Sequence, residues 1–345
     1  MRRIALWSLL FVAGALSSLS AAGAFAQALE KQKVTLAVGG KTLFYYLPLT
    51  IAERKGYFKD EGLDVQIVDF PGGAKSLEAL IGGSADVVSG AYEHTINMQA
   101  RGQPIVAIAL QGRYNGIVLA VNKSKAAQVK SVKDLKGMKV GVTAPGSSTN
   151  MMVSSLLAKS GLRPDDVSFI GVGASAGAVA AMKKGSIDAI SNLDPVINKL
   201  ETDGDVQVLI DTRTAKGMKE VYGGDYHAGC IYVTAAWLKK NPNTAQAIVN
   251  AMVRADLWLQ KARVDDIVAT VPPEYYGADV SLYKVALYKN QEGFSPDGLF
   301  TMKGAQNVYA VLKAFEPSVQ KAKIDLAATF DNGFVQKALK KYRKD

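Results

Sequence analysis

One eleven-residue pattern occurs twice in this chain, 102 residues apart. Ala79-Leu80-Ile81-Gly82-Gly83-Ser84-Ala85-Asp86-Val87-Val88-Ser89 is answered by Ala181-Met182-Lys183-Lys184-Gly185-Ser186-Ile187-Asp188-Ala189-Ile190-Ser191, with Ala, Gly, Ser, Asp and Ser in register. The chemistry is that of a helix stop followed by a strand. Glycine takes the left-handed cap, and aspartate opens the turn before a buried strand. The same offset sets Val38-Gly39 against Val140-Gly141 and Val65-x-Ile67 against Val167-x-Phe169. A chain that repeats strand, helix, strand, helix, strand folds into two similar α/β units, each with a doubly wound, mostly parallel sheet covered by helices on both faces.

The expected strands are 34–38, 65–68 and 86–89 in the first half, and 139–142, 167–171 and 188–191 in the second. Pro48 marks the first helical turn. Two further strand-like runs, Gly116–Val121 and Gly229–Val233, carry the chain into the second unit and back. From Thr234 onward the pattern is helical, at 236–240, 244–263, 281–291, 302–315 and 334–342. This tail completes the first unit. The expected division is lobe one at 27–119 and 231–345 and lobe two at 120–230, a hinged clamshell bending near 120–123 and 228–231.

The first 26 residues, MRRIALWSLLFVAGALSSLSAAGAFA, read as a secretory leader cleaved after Ala26. Their apolar run falls short of the ~20 residues that span a bilayer. No cysteine follows it, so a lipoprotein is not expected. The leader carries two arginines and no acid, and its removal takes the net charge from +10 to +8. The expected location is the bacterial periplasm. Lys and Arg are spread along the chain, and no nucleic-acid partner is expected. The basic run from Lys337 to Lys344 reads as a solvated last helical turn. One cysteine and two histidines leave no disulfide and no ordinary zinc or iron–sulfur ligand set. No cofactor or metal is expected.

In doubly wound sheets, ligands bind beyond the carboxyl ends of the strands. The loops there carry the candidates. Gly72-Gly73-Ala74 and Gly146-Ser147-Ser148-Thr149 precede helices and read either as contacts for an anion or as plain helix caps. Phe44, Tyr45, Tyr46 and Tyr92 are candidate aromatic walls, with core packing the alternative for Phe44. Lys41 and Arg113 are candidate partners for an anionic head group, or solvated surface charges. Glu93 at a strand end suits an amine or amide on a ligand, or complements a helix start. His94 and His227 read as structural or exposed, with His227 kept as an outer candidate. No G-x-S-x-G, Walker loop or H-E-x-x-H is present, and Gly171-x-Gly173 with Gly177 departs from dinucleotide spacing.

Three stretches taken together resemble a known family. They are Leu47-Pro48-Leu49 through Ala52-Glu53-Arg54-Lys55-Gly56-Tyr57-Phe58 to Gly62-Leu63-Asp64-Val65, then Phe70-Pro71-Gly72-Gly73 through Gly82-Gly83-Ser84-Ala85-Asp86, and Val132-Lys133-Asp134-Leu135-Lys136-Gly137 with Val140-Gly141-Val142 and Pro145-Gly146-Ser147. The chain resembles the periplasmic substrate-binding proteins of ABC importers for nitrate, sulfonates, taurine and thiamine-precursor pyrimidines, over most of its length to about residue 240. The resemblance implies a two-lobed type II binding protein, monomeric and without catalysis, that hands a small molecule to a membrane permease with its ATPase. Contacts carried over from the family fall on Thr42–Tyr46, Gly73–Ala74, Tyr92–Glu93, Ser147–Thr149 and Asp194. A fungal branch of pyrimidine-synthesising enzymes needs a cysteine-rich motif, and one cysteine argues against it. The expected ligand is a sulfonate- or carboxylate-like organic anion held between the helix starts. The alternative is a neutral or cationic heterocycle held by Glu93 and the tyrosines, and a clamshell enzyme is the rival from another class.

Overall fold

The computed structural model describes residues 28–277 and 279–343, so the expected leader at 1–26 lies outside the described residues. Among the described residues, ten strands form two five-stranded sheets. β1 (Lys33–Val38), β2 (Asp64–Asp69), β3 (Val87–Ala91) and β4 (Ile105–Leu110) belong to the first sheet. β5 (Val118–Asn122), β6 (Lys139–Val142), β7 (Ser168–Gly171), β8 (Ala189–Asn192) and β9 (Val206–Asp211) make the second, and β10 (Gly229–Thr234) returns to the first. The orders are β2-β1-β3-β10-β4 and β7-β6-β8-β5-β9, the same topology twice. Each sheet is mixed. Its first three strands are parallel, and the inserted fourth, β10 or β5, runs antiparallel to both neighbours. Among these strands, β4 and β9 were not marked by the sequence pattern.

The repeat holds with one adjustment. Leu36 pairs with Val87 as Val140 pairs with Ala189, so Val140 corresponds to Leu36 and not to Val38. The second half is two residues shorter between its first two strands. The helix stops behave as the pattern requires, with Gly83 and Gly185 both left-handed (φ 76° and 67°). The paired aspartates then brace the first strand of each sheet. Asp86 accepts from the Thr35 N–H and Asp188 from the Lys139 N–H, both at 2.9 Å.

The expected hinge positions need correction. Residues 120–122 lie inside β5 and 229–231 inside β10, each hydrogen-bonded on both sides. The chain instead crosses between sheets at 111–117 and 212–228. The two crossings pair with each other, Gly112 N–H to Gly229 O and Ala228 N–H to Gly112 O, both at 3.0 Å. The tail also reaches across. The helix Val280–Asn290 receives Asn198 Nδ2 on its Leu282 carbonyl at 3.0 Å, and Asn290 Nδ2 donates to Asp194 at 2.8 Å.

The second sheet's carboxyl end is organised by a buried cation. Arg213, just past β9, is 3% exposed and holds Asp194 (3.3 Å), Glu201 (2.7 Å) and Asp211 (2.6 Å). Burial raises the Asp194 pKa and the Arg213 guanidinium opposes that rise. Removing one member of such a group strands the others in low dielectric. Arg213→Met is therefore expected to destabilise the chain by about 3–5 kcal/mol at neutral pH, measured by urea unfolding, with Lys at 213 recovering only part of it.

Candidate functional site

The site forms where the strand ends of the two sheets meet. Gly39, Leu43, Tyr45, Tyr46, Gly73 and Ala91 from the first-sheet side and Thr143, Ser147, Ser148, Thr149 and Leu193 from the second, with Ile117 of the crossing, enclose a cavity of about 20 Å³. A neighbouring cavity of the same size shares Tyr45 and Leu193 and adds Phe44, Tyr114, Asn115, Arg213 and Asn290. Each has room for about one water. The walls come this close because Gly72 has no side chain. A Cβ there would stand 2.9 Å from the Ala144 Cβ and 3.0 Å from its nitrogen.

Hydrogen bonds cross the cleft beside the cavity. The Ala74 N–H donates to Ser147 Oγ at 3.0 Å. His94 faces the Gly146 carbonyl through Nε2 at 3.3 Å and the Tyr232 hydroxyl through Nδ1 at 3.0 Å. A carbonyl only accepts, so Nε2 carries the proton and Nδ1 accepts from Tyr232. Burial lowers the His94 pKa to about 4, which keeps this neutral form. The helices Gly73–Ile81 and Ser148–Lys159 both begin without a side-chain cap at their N-cap residues. They do not occupy equivalent places in the repeat: one follows β2 and the other β6. They meet because the halves face each other.

Glu93 is 1% exposed at the start of the helix Glu93–Ala100. Its Oε1 accepts from the Tyr226 hydroxyl at 3.2 Å, and its Oε2 has no partner among the described residues. The hydroxyls of Ser148 and Tyr45 are likewise buried without partners. Ser148 comes close enough to Glu93 and to Tyr45 to oppose the rise in both pKa values, but in a geometry short of a full hydrogen bond with either. Burial pushes the Glu93 pKa up to about 7 and the Tyr45 phenol well above its ordinary range. Three polar groups thus face one another across the cleft, each lacking a bond that a buried polar atom ordinarily makes.

The structure separates the sequence candidates. Tyr45, Tyr46, Gly73, Ser147, Ser148 and Thr149 line the first cavity, and Ala74 and Glu93 adjoin it. Thr149 Oγ1 is held by Thr143 N–H (3.1 Å) and the Thr143 hydroxyl (2.9 Å), which closes its own loop. Tyr92 turns the other way. It is fully buried, bonded to Thr329 and packed on His227 and Phe300. Asp194 is a partner of Arg213 and Asn290, and its carbonyl accepts the Phe44 N–H at 3.2 Å. Phe44 borders the second cavity and packs on Tyr283, centroids 4.7 Å apart. Thr42 faces a separate surface groove with Ala174 and Tyr283. Lys41 is paired with Glu53 at 2.7 Å. Arg113 is exposed and donates to the Glu292 carbonyl. His227 is a core residue whose Nε2 accepts from the Thr301 N–H at 2.9 Å, and burial lowers its pKa to about 3. Sequence reasoning missed His94 as a cross-cleft contact, together with Tyr226, Asn115, Leu193 and Arg213. The signal available for Arg213 was its place two residues beyond a run ending in Asp211. Among the described residues no group of three or more His, Cys, Asp or Glu is arranged to hold a metal, and no helix is long and apolar enough to cross a membrane.

Comparison with known proteins fits this architecture. The family described as NMT1/THI5 like matches residues 44–262, and the chain belongs to that family. A solved structure from Bordetella bronchiseptica RB50 is 56% identical with a TM-score of 0.90, covering 92% of this chain and 100% of that one. The putative binding protein YtlA of Bacillus subtilis (strain 168) is 26% identical over 264 residues, 75% of this chain and 76% of YtlA. The alkanesulfonate-binding protein SsuA from Xanthomonas axonopodis pv. citri, solved with MOPS, shares the fold at 21% identity and a TM-score of 0.68, covering 88% of this chain and 99% of SsuA. The 4-amino-5-hydroxymethyl-2-methylpyrimidine phosphate synthase of Schizosaccharomyces pombe (strain 972 / ATCC 24843) is 29% identical, but over only 42% of this chain and 41% of the synthase.

Two outcomes follow from the geometry. The folded-state pKa of Glu93 lies above its ordinary 4.5, so its contribution to stability is full below that value and is lost as pH rises through about 7. Glu93→Gln removes this loss. Its melting temperature relative to wild type is expected to rise from pH 5.5 to pH 8, at up to ~1.4 kcal/mol per pH unit, while the histidine contributions cancel in the difference. Gly72→Val places a side chain against Ala144. Its extended backbone (φ −170°) accepts valine, so the fold should persist while the radius of gyration by X-ray scattering increases and solute affinity falls by about tenfold or more.

Proposed function

We propose that the chain is the solute-binding component of an importer, capturing a small organic molecule between its two halves through a hydrogen-bond donor edge, as an aminopyrimidine-like heterocycle presents. One observation carries this reading: Glu93 Oε2, Ser148 Oγ and Tyr45 Oη converge, buried and without a full hydrogen bond among the described residues, from both sides of the cleft. An N–H edge satisfies the carboxylate, and ring nitrogen or carbonyl groups accept from the two hydroxyls. Tyr45 and Tyr46, with centroids 5.0 Å apart, supply aromatic walls.

The organic-anion reading has support in the two uncapped helix starts, where free N–H groups and dipoles favour negative charge. Among the described residues no unpaired cation lines either cavity. Arg213, the cation on the cavity walls, is engaged by three carboxylates, and Lys41 is paired with Glu53. A carboxylate in the floor also repels an anion.

The remaining assignments belong to the same reading. The chain is exported, cleaved after Ala26 and works in the periplasm as a monomer that delivers its solute to an inner-membrane permease with an ATPase. The proposed lobes start from the sequence expectation, 27–119 with 231–345 and 120–230, and move each boundary to keep β5 and β10 whole. It is a binding protein and not an enzyme, a reading supported by relatives named as binding proteins.

The test is a thermal-shift panel on protein unfolded and refolded to remove bound solute, with 2- and 4-aminopyrimidine set against methanesulfonate, benzoate and nitrate. A compound at 100 times its Kd stabilises by about 2.7 kcal/mol. The aminopyrimidines are expected to shift the melting temperature, with Glu93→Gln losing about 1.5–3 kcal/mol of that binding. A shift from the anions alone, retained in Glu93→Gln, overturns the donor-edge reading in favour of the anion.

A further inference from the structure

The two crossings carry buried polar side chains whose placement plain packing does not require. Tyr226, in the second crossing, donates its hydroxyl to Glu93 Oε1 at 3.2 Å. Its ring stacks on Tyr222, centroids 4.2 Å and planes 24° apart. The Tyr222 hydroxyl accepts from Asn115 Nδ2, in the first crossing, at 2.8 Å. Asn115 Oδ1 accepts from the Thr212 hydroxyl at 2.6 Å, back in the second crossing. All four are buried. The path therefore leaves the cleft carboxylate, passes through one crossing, enters the other and returns. Phenylalanines would fill the same space, but the two hydroxyls and the amide are each aimed at a polar group on a different segment.

We infer that Tyr226, Tyr222 and Asn115 are positioning residues that tie the cleft carboxylate to the hinge, so that the state of Glu93 sets how tightly the two crossings hold each other. The inference rests on the reading of Glu93 as a solute contact only for its use, and the hinge coupling has its own measurement. A carboxylate engaged on both oxygens is fixed in orientation, and a hydrogen bond polarised by its neighbours strengthens. A carboxylate left half-satisfied holds Tyr226 less firmly, and the loss reaches Asn115 through the stacked rings.

The experiment is amide hydrogen exchange on the intact chain at pH 7, read over 111–117, with β1–β3 and β6–β8 as internal controls. Glu93→Leu removes the acceptor, Tyr226→Phe the donor, and Glu93→Gln keeps an acceptor in place. Glu93→Leu and Tyr226→Phe are each expected to speed exchange at 111–117 about fivefold over unchanged controls, the cost of one buried hydrogen bond. The double variant should be no faster than either single, and Glu93→Gln should stay near wild type. Tyr222→Phe, which removes only a hydroxyl, should reproduce the effect if Glu93→Leu fails to fold. Unchanged exchange at 111–117, equal acceleration of the controls, or effects that multiply in the double variant would each overturn the coupling. The affinity of Glu93→Gln for the aminopyrimidines judges the solute reading separately.

Discussion

Each sheet is completed by a strand that runs against its neighbours, and the geometry of the cleft depends on that insertion. β10 sits between β3 and β4, and β5 between β8 and β9, antiparallel on both sides. An antiparallel insert enters the sheet at the end where its parallel neighbours leave it. Both crossings are thereby brought to the carboxyl ends of β3 and β8, where doubly wound sheets place their ligand loops. The two crossings and the candidate site are one region for this reason. Gly112, Ala228 and Gly229 knit the crossings together a few residues from Ala91 and Glu93.

Much of this was legible from the repeat. The Gly-Ser-x-Asp stop fixes where a helix ends and a buried strand begins, and both copies take left-handed glycine followed by an aspartate that braces the first strand. The longer helices of the tail were legible from their periodicity, and the short Val264–Thr270 and Pro317–Lys321 were not. What escaped were features that have no local signal. β4 and β9 are short apolar runs indistinguishable in pattern from buried helix. The hinge was misplaced because a strand rich in valine looks the same whether it ends a lobe or lies inside one. Tyr92 and Glu93 are adjacent, and nothing local decides which of them faces the cleft. The fold does: Tyr92 meets Thr329 and His227 from the far end of the chain, while Glu93 meets Tyr226. Thr149 and Asp194 were legible as loop residues, but their partners Thr143 and Arg213 show them closing structure around the cavity.

The balance between solute classes turns on how a buried carboxylate is satisfied. Glu93 has one donor, Tyr226, and an oxygen without a partner among the described residues, beside a cavity with room for about one water. An ionised carboxylate so placed is costly, which is why burial raises its pKa to about 7. A solute with an N–H edge removes that cost and recovers a charge-assisted bond. A pure anion adds to it, and the helix starts must offset both the repulsion and its own desolvation with neutral N–H groups, one of which already serves Ser147. Arg213 cannot be recruited without stranding Asp194. A solute carrying both a donor edge and an acceptor edge fits every group without that conflict. The site's polarity is then a matched pair, with the donor edge toward the first-sheet half at Glu93 and the acceptor edge toward the helix starts at Gly73 and Ser148. Because Glu93 and Ser148 lie on opposite sides of a cleft that here has room for about one water, such a solute would meet both only with the halves set further apart than they stand in this structure.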